Sequence, residues 1–201
     1  MTNATQSLDL PVGSIGRHAN GWWGMMMLIV TEGALFVYLL FAYYYAAVQH
    51  SQNWLPEDLP GFRLSLPDTI ILLLSSAVVW RGEQLLKQGR SSGLTAIYLA
   101  VAALMGIVFV AVQVLEWGGK KFTPFSSSYG SLYYTITGFH MLHVIAGVLI
   151  LLTLALWCAL GYFNRIRSAP VSIGAIYWHF VDAIWLVLFF TFYITPRLGL
   201  G

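Results

Sequence analysis

Five long apolar runs, parted by short polar stretches, make up most of this chain. They cover about residues 22–48, 66–86, 94–117, 132–163 and 172–195. A helix rising about 1.5 Å per residue needs about 20 residues to cross a hydrocarbon core of about 30 Å, so each run reaches or approaches spanning length. None alternates polar and apolar positions as a barrel strand does. The pattern predicts an all-α fold, a polytopic membrane bundle of five transmembrane helices. Pro67 falls at the start of the second run, where its missing N–H costs nothing, and the fifth run stops before Pro196. Rings bracket the runs: Trp22 and Trp23, Tyr43 to Tyr45, Trp80, Trp117, Tyr133 and Tyr134, Tyr162, Tyr177 and Trp178, then Tyr193. Amphipathic rings prefer the headgroup level, so these mark the interfaces.

Composition sharpens the picture. Of 201 residues, 58% are apolar and 9% charged, against about 25% charged in an average soluble domain, which excludes a soluble globule. The formal charge of +2 is scattered over the loops without a basic block, so nucleic acid has no electrostatic footprint here. The single cysteine, Cys158, excludes an intrachain disulfide and any thiolate-clustered metal site, and reads as a packed or lipid-facing apolar side chain. Residues 1–21 read as a polar cytoplasmic tail containing Asp9 and Pro11, with no signal peptide, ahead of one transmembrane domain, 22–201. The longest polar connection, from Gln49 to Ser65, contains Ser51, Asn53, Pro56, Glu57, Asp58, Pro60 and Gly61. Arg17, Arg81, Lys87, Arg90, Arg165 and Arg167 fall on the N-terminal side, and Arg63, Lys120, Lys121 and Arg197 on the other, which places the N-terminus in the cytoplasm and the C-terminus outside.

An acidic side chain at the bilayer centre costs about 2.5–3.5 kcal/mol on insertion scales, so each must be partnered, neutral or covered by protein. Glu32 lies ten residues past Trp22, Asp182 ten past Ser172, and His143 eleven past Leu132 from the opposite side. All three are expected at one depth, in a buried cluster, with Glu32 protonated or hydrogen-bonded to a histidine. His140 and His143 share a helical face, as do His179 and Asp182. These residues admit three readings. One is polar glue between helices; the second is a metal site of His140, His143 and His179 completed by Glu32 or Asp182; the third is a bis-histidine haem. The first is preferred, because no Glu-x-x-His pair of the di-iron bundle type occurs. Gln113 and Glu116 share a face at the end of the third run, as a solvated helix end or as partners for the following loop or a neighbouring subunit. Gly33, Gly138 and Gly147 mark close helix contacts, and Arg81 with Glu83 a solvated helix end.

With these residues in place, the chain resembles subunit III of the haem-copper terminal oxidases, in its short five-helix bacterial form. The resemblance is carried in order by Thr31-Glu32-Gly33-Ala34-Leu35-Phe36, Leu72-Leu73-Leu74-Ser75-Ser76 and Gln113-Val114-Leu115-Glu116-Trp117. It continues with Tyr129-Gly130-Ser131, Thr137-Gly138-Phe139-His140-Met141-Leu142-His143-Val144 and Tyr177-Trp178-His179-Phe180-Val181-Asp182-Ala183-Ile184-Trp185. It runs from Gly21 to Thr195, nearly the whole chain.

The resemblance implies a bundle without haem or metal of its own, bound to a catalytic subunit I that carries haem and copper, to subunit II and to small subunits. It implies structural phospholipid, support of proton uptake, protection against turnover-linked inactivation, and a bacterial plasma membrane. Glu32, His140, His143, His179 and Asp182 then become packing, lipid-contacting or proton-linked groups. Larger members have seven helices, and the leading pair that forms one wall of their lipid cleft has no counterpart here, so its lipid contacts are not carried over. A quinol-oxidising version, a homologue associated with nitric oxide reductase, a free-standing haem or metal protein and a small transporter coupled through Glu32 are the competing readings.

Overall fold

The structure is a computed structural model that describes residues 20–50, 54–56 and 59–198. The polar tail with Asp9, Pro11 and Arg17, and loop residues Ser51, Asn53, Glu57 and Asp58, lie outside the described residues. Five helices cross in alternating directions: α1 (Asn20–Gln49), α2 (Phe62–Lys87), α3 (Ser92–Gly118), α4 (Ser128–Ala159) and α5 (Ala169–Phe189). All five are long and apolar enough to cross a membrane. A π turn, Phe190–Ile194, and a 3-10 turn, Thr195–Leu198, prolong α5.

Helices α2 to α5 form a ring in which each packs on the next and α5 closes onto α2; α1 has its main contacts with α4 and α5. Large apolar side chains cover the outer surface, from Met27 and Phe41 on α1 to Leu149 and Leu156 on α4. In hydrocarbon these positions meet acyl chains and need no further explanation.

Several helix ends differ from the sequence expectation for identifiable reasons. Helix α2 starts four residues earlier, so Pro67 stands inside it rather than at its first turn. The bond its missing N–H forfeits belongs to the carbonyl of exposed Arg63, near the helix end, where water can replace it. Helix α4 starts at Ser128 because the Ser127 side chain accepts the Gly130 N–H at 3.1 Å, an N-cap. It ends at Ala159, before Phe163, in a Schellman closure: Tyr162 N–H bonds the Trp157 carbonyl, Gly161 N–H that of Cys158, and Gly161 takes φ +78°. The same closure at Gly89 ends α2. Pro170 opens the first turn of α5, ahead of the expected Ser172. Further on, Pro196 cannot donate to a regular helix and its ring opposes the Phe192 carbonyl, and the chain widens into the π turn just before it.

Two buried indoles tie the ring together. Trp178 of α5 donates from Nε1 to Ser75 Oγ of α2 at 3.0 Å, and Trp185 donates to Thr69 Oγ1 of α2 at 2.9 Å. The Trp178 ring fills the space left by Gly106 on α3 and Gly147 on α4. A Cβ at Gly106 would lie 2.6 Å from that ring and one at Gly147 2.8 Å from it. Absent side chains here are what let three helices close on one tryptophan.

Candidate functional site

Because α1 and α4 run side by side, Glu32 reaches His143: Oε2 and Nε2 are 3.0 Å apart. The other ring nitrogen, Nδ1, lies 2.7 Å from the Phe139 carbonyl, which can only accept, so Nδ1 carries a proton. The Nε2 contact then needs one more proton, either on the carboxyl or on the ring. Glu32 and His143 therefore share that single proton, and the pair is neutral as a whole in both arrangements. Phe36, one turn beyond Glu32, meets the imidazole edge-on at 5.2 Å between centroids. The pair is not sealed: 34% of the Glu32 side chain and 14% of the His143 side chain remain accessible at the α1–α4 groove.

The other histidines go elsewhere. His179 on α5 places Nδ1 2.6 Å from Ser76 Oγ on α2. Asp182, one turn on, is buried and faces the same Ser76, and its oxygens make no well-formed hydrogen bond among the described residues. His140 points into the bundle, stacked on Trp185 at 5.1 Å with Phe109 edge-on at 6.0 Å, and neither ring nitrogen has a hydrogen-bond partner among the described residues. The expected cluster at one depth is thus divided. Glu32 and His143 join α1 to α4, whereas Asp182 belongs to the α2–α5 contact, because α1 packs away from α2. Among the described residues, no group of three or more His, Cys, Asp or Glu side chains is arranged to hold a metal ion.

For Gln113 and Glu116, the alternative of a bond to the loop that follows α3 is the one observed, at Glu116. They do not form a solvated helix end: they are 1% and 5% exposed. Glu116 Oε1 is held by Lys120 Nζ at 2.6 Å, from the loop after α3, and by the Tyr193 hydroxyl at 2.7 Å. Tyr193 reaches it from the π turn and lies 3.5 Å from the Tyr133 hydroxyl of α4. Apolar cover from α4 and the π turn, invisible in a linear reading, removes this helix end from water. Asp68 of α2, 1% exposed and electrostatically coupled to Glu116, belongs to the same region. The sequence reading did not single out Asp68, which lies beside Pro67 at the expected start of the second run. At the opposite end, Glu83 pairs with Lys87 at 2.5 Å on an exposed helix end.

Residues 17–196 match the family model described as "Cytochrome c oxidase subunit III". Among curated relatives, "Cytochrome c oxidase subunit 3" of Synechocystis sp. is 35% identical over 197 residues, covering 96% of this chain and 83% of that protein. The protein of the same name from Thermostichus vulcanus is 34% identical, with 87% of each chain covered. That from Drosophila yakuba is 33% identical over 85% of this chain and 68% of its own length.

Proposed function

The chain belongs to the cytochrome c oxidase subunit III family, and on that premise we propose that it is the non-catalytic subunit III of a proton-pumping haem-copper oxidase. It serves aerobic electron transfer from cytochrome c to oxygen, bound to a catalytic subunit I with haem and copper and to subunit II. It steadies the catalytic subunit, supports its proton uptake and retains phospholipid. Its home is a bacterial plasma membrane, with the N-terminus cytoplasmic.

The observation that carries this reading is the placement of the three intramembrane histidines on separate partners. His143 is bound at both nitrogens, His179 is bonded to Ser76, and His140 is boxed by Trp185 and Phe109. Ligation at the bonded nitrogens of His143 or His179 would require breaking those bonds, while His140, though unbonded, is enclosed by aromatic rings. The half-open Glu32–His143 pair is the group most in need of cover by a partner or a lipid, since an accessible acid in hydrocarbon is costly. The relatives are named for cytochrome c oxidase, which favours that donor over a quinol.

The test is to tag the chain, extract it in mild detergent from its own membrane, and record mass spectra and redox difference spectra of what accompanies it. A stoichiometric large subunit carrying haem and copper, with no pigment left on the chain once it is stripped off, is the expected result. A lone chain that retains haem or metal would overturn the reading.

A further inference from the structure

At the end of the bundle where α3 finishes and α4 begins, oxidisable rings lie in unbroken contact. Trp117, on the last turn of α3, meets Tyr134 of α4 at 5.2 Å between centroids, and both residues are half-buried. Tyr134 meets Tyr133 at 5.6 Å, and the Tyr133 hydroxyl lies 3.5 Å from that of Tyr193 in the π turn. Tyr129 stacks on Tyr133 at 6.2 Å and meets Tyr43 of α1 at 6.0 Å. A path of rings thus leads from the surface of the bundle to Tyr193, which is 1% exposed.

What sets Tyr193 apart is the partner of its hydroxyl. Removing an electron from a phenol makes its O–H strongly acidic, so the neutral phenoxyl radical forms where a base takes the proton. A buried radical cation without such a base carries the cost of an uncompensated charge. The Tyr193 hydroxyl donates to Glu116 Oε1 at 2.7 Å, a distance at which the proton can pass to the carboxylate, and Lys120 holds the same oxygen from 2.6 Å. The other tyrosines of the cluster have poorer bases. Tyr134 donates to the carbonyls of Trp117 and Phe122, and Tyr44 pairs with the Thr191 hydroxyl. The hydroxyls of Tyr43 and Tyr129 make no well-formed hydrogen bond among the described residues. An oxidising equivalent anywhere in this cluster therefore settles on Tyr193.

We propose that Tyr193 and Glu116 form a proton-coupled redox site, a trap for an oxidising equivalent that enters at Trp117. The electron passes from Tyr193 through Tyr133, Tyr134 and Trp117 to a one-electron oxidant at the membrane surface, of the class strong enough to oxidise an indole. The Tyr193 O–H bond breaks, its proton forms a carboxyl O–H on Glu116, and the oxidant leaves reduced by one electron. A one-electron reductant returns an electron by the same path, and the proton moves back to Tyr193. The inference concerns this chain's own rings and does not depend on the oxidase reading.

The full chain in mild detergent is to be oxidised with flash-generated tris(bipyridine)ruthenium(III) while paramagnetic resonance and infrared difference spectra are recorded. The expected result is a long-lived neutral tyrosyl radical, identified by the narrowing of its spectrum with ring-deuterated tyrosine. A protonated-carboxyl band rises and decays with it in the wild type, a reading that needs no variant to fold. Tyr193→Phe, which removes a hydroxyl alone, loses both signals, and Tyr129→Phe keeps both. Glu116→Gln loses the carboxyl band and shortens the life of the radical, and Trp117→Phe slows its appearance. A tyrosyl radical that persists in Tyr193→Phe, one that rises in the wild type without the carboxyl band, or the absence of any tyrosyl radical would each overturn the site. An unchanged rate of appearance in Trp117→Phe would overturn the entry route.

Discussion

His143 presents Nδ1 to a carbonyl and Nε2 to a carboxyl, so one shared proton governs the α1–α4 contact. Glu32→Gln preserves it, because the amide can donate to a bare Nε2 or accept from a protonated one, whereas Glu32→Leu leaves that nitrogen without a partner. A double-mutant cycle of Glu32→Leu with His143→Phe, read by thermal unfolding, is expected to give a coupling of about 0.6–1.7 kcal/mol, the scale of interhelical hydrogen bonds in membranes. A coupling of zero would make the contact incidental. His140 predicts the opposite behaviour. Its ring sits among Trp185, Phe109 and Phe36 with both nitrogens unbonded. His140→Phe removes two buried polar atoms while keeping a flat ring, and the expected change is neutral to stabilising by about 1 kcal/mol. Loss of more than that on the same unfolding assay would reveal a partner for the imidazole.

Among the elements, α5 is tied to its neighbours through single residues. The Trp178 ring occupies the room that Gly106 and Gly147 leave. Gly106→Ala drives a methyl to 2.6 Å from that ring and 2.8 Å from Val148, and α3 must move away from α4 and α5 to accept it. The expected cost is about 1–3 kcal/mol, read as a lower unfolding midpoint in detergent, with a changed Trp178 fluorescence. Gly33→Ala, whose added Cβ would meet only the Phe180 ring at 3.9 Å, is the control and should be near neutral. The sequence reading marked Gly33 as a close helix contact and passed over Gly106, and the structure reverses the two. The five spans were legible because membrane thickness alone selects runs of that length. Which face of each helix meets which neighbour was not, since lipid and core are equally apolar and the hydrophobic pattern loses its direction. For the same reason the partnership of Glu32 with a histidine could be anticipated from cost alone. The burial of Glu116, the separation of Asp182 from Glu32 and the presence of Asp68 depended on helix adjacency and on the π turn.

At the scale of the whole molecule, the ring of α2 to α5 is braced internally by Trp178 and Trp185, while α1 is held on one side and keeps most of its apolar surface outward. The proposed role is that of an accessory subunit that shields and steadies a neighbour carrying the redox centres. Its removal should therefore leave the first turnovers of the oxidase largely intact and act later, through the number of oxygen molecules reduced before activity is lost. Counting turnovers to inactivation in membranes with and without the chain separates these effects, since an initial-rate defect and a lifetime defect have different time courses. The expected outcome is a near-normal starting rate with a shortened lifetime, restored by adding back the wild-type chain. If steadying depends on the seating of α1, Glu32→Gln restores the lifetime as the wild type does and Glu32→Leu restores it only in part. Equal rescue by both would disconnect the protective role from the α1–α4 contact. Equal lifetimes with and without the chain would refute the role itself.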